Sequence, residues 1–240
     1  MSTPRRLHCH PLPAAGEVTE LDAAATKHAA VLRLGVGDAV ILFDGEGGEA
    51  DAVIEATDER LVCRVGARRE VPPRPRVVLV QCMPKGAKLD DIVRATTEIG
   101  VSEIRLAHAA RAVARPDEAR AQKRMERLSK IAREAARQSL RADVPSVTRP
   151  APLLDVAAQA PDGAVKLAFV IGGRGSVEAC VDPTRETWLV VGPEGGLSPD
   201  EVDALVGLGY RGVGLAGPVL RVETAAPVVV ALVAHRLGAL

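Results

Sequence analysis

Three prolines in five residues, Val71-Pro72-Pro73-Arg74-Pro75, constrain this 240-residue chain more than any other feature. Proline fixes its own φ and has no amide donor, so neither a helix nor an interior strand continues through such a run. The chain is therefore expected to fold as two parts, residues 1–71 and 74–240. Before the prolines, short β-favouring runs alternate with turns: Val40 to Phe43 ahead of Asp44-Gly45, then Glu49 to Ala56, then Leu61 to Val65. That pattern predicts a small β-barrel. After them, strand and helix patterns alternate as in a mostly parallel α/β sheet. Strands are expected over Val77 to Gln81, Glu103 to Ala107, Lys166 to Ile171 and Thr187 to Val191, and helices over Lys88 to Ile99 and Glu118 to Ser139.

Two segments near the C-terminus read as strand-to-loop-to-helix corners. In the first, Thr187 to Val191 stops at Gly192-Pro193, and a helix opens with Ser198, Pro199 and Glu201. Ser as N-cap, Pro at the first helical position and Glu at the third form a capping box. The loop from Gly192 to Leu197 then leaves backbone N–H groups beside a helix N-terminus, which suits a polar or anionic ligand group. The second corner repeats the plan: a short strand near Val213 to Leu215, the turn Gly217-Pro218, and a helix capped by Thr224 and running to Leu237. Ligands of open α/β sheets collect at the C-terminal ends of strands. Neither corner spells a P-loop or a dinucleotide fingerprint. The Gly-rich turn Gly172 to Gly175 is a third loop on what could be the same edge, and is equally well an ordinary connector.

Net charge is zero, so no global field draws the chain to nucleic acid or membrane. Residues 105–141 differ, with eleven basic residues, Arg105, Arg111, Arg115, Arg120, Lys123, Arg124, Arg127, Lys130, Arg133, Arg137 and Arg141, against Asp117, Glu118, Glu126 and Glu134. Met125, Leu128, Ile131 or Ala132, and Ala135 recur at helical spacing, so the apolar stripe is expected to be buried and the charge displayed to phosphate. The four aromatics, Phe43, Phe169, Trp188 and Tyr210, leave little for base stacking. Cys9, Cys63, Cys82 and Cys180 have neither zinc nor disulfide spacing, and the His8-Cys9-His10 triplet would be split by strand alternation, so no metal is expected. The longest uncharged apolar stretch, Ala225 to Ala234, is too short to cross a bilayer, and a cytoplasmic location is expected.

Six motifs in order resemble the ribosomal RNA small subunit methyltransferase E family of the SPOUT superfamily. They are His28-Ala29-Ala30-Val31-Leu32-Arg33 with Gly35-Val36-Gly37-Asp38; Leu42-Phe43-Asp44-Gly45; Lys85-Gly86-Ala87-Lys88-Leu89-Asp90 with Thr97-Glu98-Ile99-Gly100-Val101; Glu134-Ala135-Ala136-Arg137-Gln138-Ser139; Gly192-Pro193-Glu194-Gly195-Gly196; and Leu220-Arg221-Val222-Glu223-Thr224-Ala225. Two positions depart from the family pattern: Leu140 where glycine is usual, and Leu7 where an aromatic is usual, the latter removing a possible stacking contact with RNA. The resemblance implies an α/β protein with a PUA-like RNA-binding barrel and a SPOUT domain whose last segment threads a trefoil knot. It also implies a homodimer that uses S-adenosylmethionine to methylate uridine N3 in 16S rRNA of the 30S subunit. Cofactor contacts would fall on Val191, Gly192, Pro193, Glu194, Gly195, Gly196, Leu215, Gly217, Leu220, Thr224 and Ala225. RNA contacts would fall on Arg5, Arg6, His28, Arg33, Lys85, Arg133, Arg137, Gln138, Ser139 and Arg141. Catalytic candidates are Arg221, to stabilise a uridine anion, Glu223, to orient Arg221 or act as base, and Glu194. A nucleotide-dependent oxidoreductase using Gly172 to Gly175, a non-catalytic RNA-binding protein, and a methyltransferase with another RNA target are the alternatives.

Overall fold

The computed structural model describes residues 5–72, 74–110, 118–173, 175–177 and 179–240. Arg111, Arg115 and Asp117 of the basic run, the side chain of Glu118, and Arg174 of the Gly-rich turn lie outside the described residues. The chain divides into one unit comprising residues 1–73 and 136–144, and a second comprising 74–135 and 145–240.

The first unit holds β1 (Arg6–His8), β2 (Val18–Glu20), α1 (Ala23–Val31), β3 (Ala39–Phe43), β4 (Gly48–Ala56) and β5 (Val62–Glu70). They form a five-stranded sheet in the order β1-β3-β4-β5-β2, antiparallel except where β1 runs parallel to β3. Leu7, Leu42, Ile54, Leu61 and Cys63 bury against Ala25 and Ala29 of α1. Asp22 starts that helix by accepting the Ala25 N–H at 2.7 Å. Leu7 is fully buried, so its departure from the family pattern is a core substitution and does not remove a surface stacking residue. Within a strand paired to β3, its side chain points into the apolar cluster.

The second unit contains β6 (Val77–Cys82), α2 (Lys88–Ile99), β7 (Glu103–His108), β8 (Ser146–Pro152), α4 (Leu153–Ala157), β9 (Val165–Phe169), β10 (Thr187–Val191), α5 (Pro199–Gly207), β11 (Arg211–Val213) and α6 (Val222–Arg236). Helix α3 (Glu118–Gln138) precedes β8; its last residues, with the turn through Val144, pack with the first unit. All six strands are parallel, in the order β11-β9-β10-β6-β7-β8. Every residue of β6 and β10 is buried, as expected of central strands covered on both faces. Strand β10 lies between β6 and β9, so the order reverses at β6 and β10, the position at whose C-terminal end open α/β sheets take their ligands. Helix α6 packs against α2, β6 and β10, while Leu153, Val156 and Leu205 of α4 and α5 join Val78, Val80, Trp188 and Val190 in a separate core cluster.

Three boundaries differ from expectation. Strand β9 ends at Phe169, two residues early, and Ile171 is 77% exposed. Strand β11 starts at Arg211 with Gly212 inside it, a residue that conceals a strand because it has no side chain to pack. Edge strand β8, with Pro150 and Pro152, has no counterpart in the sequence reading, and its edge position explains how it tolerates them.

On α3, Met125, Leu128, Ala132 and Ala135 are buried as the spacing predicts, and Arg120, Lys123, Arg124, Arg127 and Lys130 are exposed. Arg105 does not join that display. It is paired with Glu103 at 2.8 Å and lies 4.8 Å above the Trp188 ring.

Candidate active site at two strand ends

The first corner is built by its own hydrogen bonds. The Gly196 N–H donates to the Pro193 carbonyl at 2.8 Å, closing a turn with Gly196 at φ 69°. The capping box is present at the expected residues: the Glu201 N–H donates to Ser198 Oγ at 3.2 Å and the Ser198 N–H to Glu201 Oε2 at 2.8 Å. The other Glu201 oxygen accepts the Ala110 N–H at 2.6 Å, tying the start of α5 to the segment after β7.

The second corner is held differently. A Cβ on Gly214 would lie 2.3 Å from the Gly173 carbonyl oxygen, and one on Gly173 would lie 2.5 Å from the Val213 carbonyl carbon. Gly173, in the turn after β9, and Gly214, just past β11, therefore serve close approach of the two backbones, a packing role that removes the motive for an oxidoreductase reading. From Leu215 to Leu220 no amide donates to another described residue. Helix α6 begins at Val222 with Arg221, not Thr224, as its N-cap. Arg221 has the extended backbone of a cap, which its side chain does not need to complete, because the Thr224 and Ala225 amides donate to its carbonyl at 2.9 and 2.7 Å.

Lys88 joins the two corners. Its Nζ lies 3.0 Å from Glu194 Oε1 and 3.4 Å from Glu223 Oε2. The Lys85 N–H also donates to the Glu194 carboxylate, at 3.1 and 3.3 Å to its two oxygens. Burial pushes the Glu194 carboxyl up, but the hydrogen bonds from its own backbone, Lys88 and Lys85 outweigh this and hold it below the usual carboxylate range. Those bonds raise the Lys88 ammonium in turn, with Glu194 its main partner. Glu223 thus faces Lys88 and does not orient Arg221, whose exposed side chain has no hydrogen-bond or ion-pair partner among the described residues.

A family profile described as RNA methyltransferase domain matches residues 72–234, and one described as RNA methyltransferase PUA domain matches residues 21–65. A Mycobacterium bovis ribosomal RNA small subunit methyltransferase E is 38% identical over 226 residues, covering 90% of this chain and 86% of the relative. The chain belongs to the ribosomal RNA small subunit methyltransferase E family. Its fold agrees with that of the Neisseria gonorrhoeae family member solved bound to S-adenosyl methionine, with TM-score 0.90, 24% identity, and 97% and 98% of the two chains covered. It also agrees with a Legionella pneumophila methyltransferase solved with bound SAM, with TM-score 0.89, 25% identity and 98% of each chain covered.

In this methyltransferase the residues expected at the cofactor fall on the two corners. Val191 ends β10 and is buried; Gly192, Pro193 and Gly196 are half-buried, and Glu194 and Gly195 line the outer turn. Leu215 and Leu220 are half-buried, Gly217 is exposed, and Thr224 and Ala225 are the third and fourth residues of α6. Two of the expected RNA contacts are interior instead. Arg6 is 5% exposed, donates to Glu49 Oε1 at 2.5 Å and to the Arg141 carbonyl at 2.9 Å, and lies 5.1 Å from the Phe43 ring. Arg141 is 1% exposed and paired with Asp143. An isolated Arg-Arg pair in sequence does not tell which partner is pulled inward by a buried carboxylate. The others remain at least partly accessible: Arg5 pairs with Asp38 at 3.6 Å, His28 is in α1, and Arg33 and Lys85 are exposed. Arg133, Arg137 and Gln138 end α3, followed by Ser139.

Lys88 is a site residue absent from the expected contacts above, although its position in the sequence carries a signal. It is the first residue of α2, where the helix dipole disfavours a cation.

Among the described residues no helix is long and apolar enough to cross a membrane, and no cluster of His, Cys, Asp and Glu has the arrangement of a metal site.

Proposed function

We propose that this protein transfers the methyl group of S-adenosylmethionine to N3 of a uridine in 16S rRNA within the 30S subunit, acting as a cytoplasmic homodimer. The observation that carries the reading is the convergence of Glu194 and Glu223, from two strand-end corners, on one lysine. The residues fit the cofactor. The unengaged amides between Leu215 and Leu220 suit the polar edges of adenine and ribose, with Leu215 and Leu220 as apolar walls. Glu194, Glu223 and Lys88 together carry a single net negative charge, which favours a sulfonium. When bound, S-adenosylmethionine supplies an electrophilic methyl group.

Uridine N3 is a poor nucleophile until its proton leaves. Arg221, unpaired among the described residues, offers its guanidinium to the anion, whose charge spreads over O2 and O4. Glu194 is already committed to the Lys85 amide and Lys88 and serves as an anchor. Glu223 is the better acceptor for the N3 proton. Exposed Arg5, Arg33 and Lys85, with His28, Arg133, Arg137, Gln138 and Ser139, are the proposed RNA contacts, and Arg120, Lys123, Arg124, Arg127 and Lys130 add displayed positive charge. Ile171 and Val219, 77% and 73% exposed in the loops after β9 and β11, support coverage by a partner subunit. The insertion of β10 between β6 and β9, with α6 packed on α2, supports a knotted C-terminal segment.

The test is to incubate the protein with radiolabelled S-adenosylmethionine and 30S subunits lacking the modification, then identify the labelled nucleoside. N3-methyluridine is expected. Label in another nucleoside refutes the target, and no label despite cofactor binding refutes the activity.

A further inference from the structure

A lysine as the first residue of a helix, against the positive end of the helix dipole, conflicts with local electrostatics. Such conflicts persist where something else requires the residue. The helix start gives no independent reason for it: the N-cap is Ala87, which makes no side-chain capping bond. What Lys88 does meet is a pair of carboxylates from elsewhere in the chain. Glu194 belongs to the loop after β10, 106 residues away, and Glu223 to the first turn of α6.

The geometry of Glu223 is specific. Its Oε2 is sealed from solvent and makes no hydrogen bond; its close polar neighbour is Lys88 Nζ at 3.4 Å. The side chain is nevertheless 24% exposed, and of its two oxygens Oε2 is the one sealed from solvent. Lys88 therefore fixes which carboxylate edge faces inward. The charged groups facing Lys88 are Glu194 from the β10–α5 loop and Glu223 from α6, the helix packed on α2. On its own helix Asp91 pairs with Arg94 at 2.7 Å and Asp90 with Arg127 at 2.9 Å, leaving Lys88 to the two glutamates.

We propose that Lys88 is a positioning residue for methyl transfer: by binding Glu194 and Glu223 together it holds the two corners in register and turns the outer oxygen of Glu223 toward the substrate. The proposal rests on the methyl-transfer reading above, in which Glu223 accepts the uridine proton. Lys88 itself touches neither cofactor nor substrate in this role. Its side chain is 34% exposed, so the ion pair adds little to folding, and the effect is expected in catalysis.

The experiment compares Lys88→Met and Lys88→Arg with the unaltered protein by three readouts. Steady-state methylation of 30S subunits should show kcat reduced about 10- to 100-fold in Lys88→Met, the scale of a misplaced catalytic group. KM for S-adenosylmethionine should stay within about threefold, and Lys88→Arg should recover most of the rate because it keeps the charge. Carbon-detected NMR of glutamate carboxyls in the cofactor-free protein should show Glu194 titrating below the ordinary 4.5 in the unaltered chain and moving upward in Lys88→Met. Thermal unfolding should be nearly unchanged. Unchanged kcat in Lys88→Met overturns the proposal. So does a lost rate that arginine fails to recover while the Glu194 titration stays in place. If the unaltered protein transfers no methyl group, the functional reading fails, and the NMR titration still decides whether Lys88 holds Glu194.

Discussion

The two corners share a plan and differ in how they are held. The first, after β10, is closed on itself by the Gly196 to Pro193 bond and anchored by the reciprocal Ser198 and Glu201 cap. Among the described residues the second, after β11, is held at its root, where Gly214 meets Gly173 main chain to main chain, and at its end, where α6 begins. Between these points neither its amides nor the Arg221 side chain is engaged by another described residue. A self-satisfied loop is a scaffold, whereas a loop with open donors and an unpaired cation takes its order from what it binds. In the proposed mechanism the scaffold carries the anchoring carboxylate Glu194, and the open loop carries the group assigned to the chemistry.

The largest expected effect comes from the open corner. Arg221→Ala should lower the single-turnover methylation rate about 10²- to 10³-fold, the scale of losing one group that stabilises developing charge. Cofactor affinity measured by calorimetry should change by less than about threefold. Equal losses in rate and affinity would place Arg221 in binding and erase the division between the corners.

Next is the root of the same corner. Gly214→Ala puts a methyl group against the Gly173 backbone, which cannot move as a flexible side chain would, and should destabilise the second unit by about 2–3 kcal/mol in urea unfolding. A near-neutral result would mean the root is as yielding as the loop it carries. The closed corner should respond through folding: Glu201→Ala removes the capping box and the acceptor for the Ala110 amide, for a cost of about 1–2 kcal/mol. If that substitution instead abolished activity in a fully folded protein, the first corner would be more than a scaffold.

The smallest effect lies outside both corners. After α3 the Arg141 N–H returns to the Ala136 carbonyl at 2.9 Å, with Leu140 between at φ 61°. This is a helix end whose left-handed residue favours glycine, so Leu140 holds there a backbone conformation that strains a residue with a side chain. Leu140→Gly should raise stability by about 0.5–1 kcal/mol, since the relief of left-handed strain exceeds the entropy gained by the unfolded chain. Loss of stability would show that the 44% exposed Leu140 side chain makes packing contacts that outweigh the strain.

The parts legible in the sequence were those governed by local rules. The bounds of α2 and β10 and the whole capping box at Ser198 follow from periodicity and cap chemistry, and the structure has them at the expected residues. Local rules failed where a distant group decides. Thr224 has the chemistry of a cap, yet α6 starts earlier because the Arg221 carbonyl already collects the first amides. Arg6 resembles a surface cation until Glu49 from another strand pairs with it in the interior. Glu223 pairs with Lys88, 135 residues before it, where the sequence offered the nearer Arg221. The prolines that mark β8 as broken sequence are admissible because tertiary structure makes it an edge.

The contrast between the corners is tested most directly by amide hydrogen exchange, resolved by residue, with and without S-adenosylmethionine. Leu215, Ala216, Gly217, Val219 and Leu220 should exchange fast in the free protein and become protected when cofactor binds. Gly196 and Glu201 should be protected in both states. Protection of 215–220 that is already high without cofactor, or that does not change on binding, would contradict the contrast.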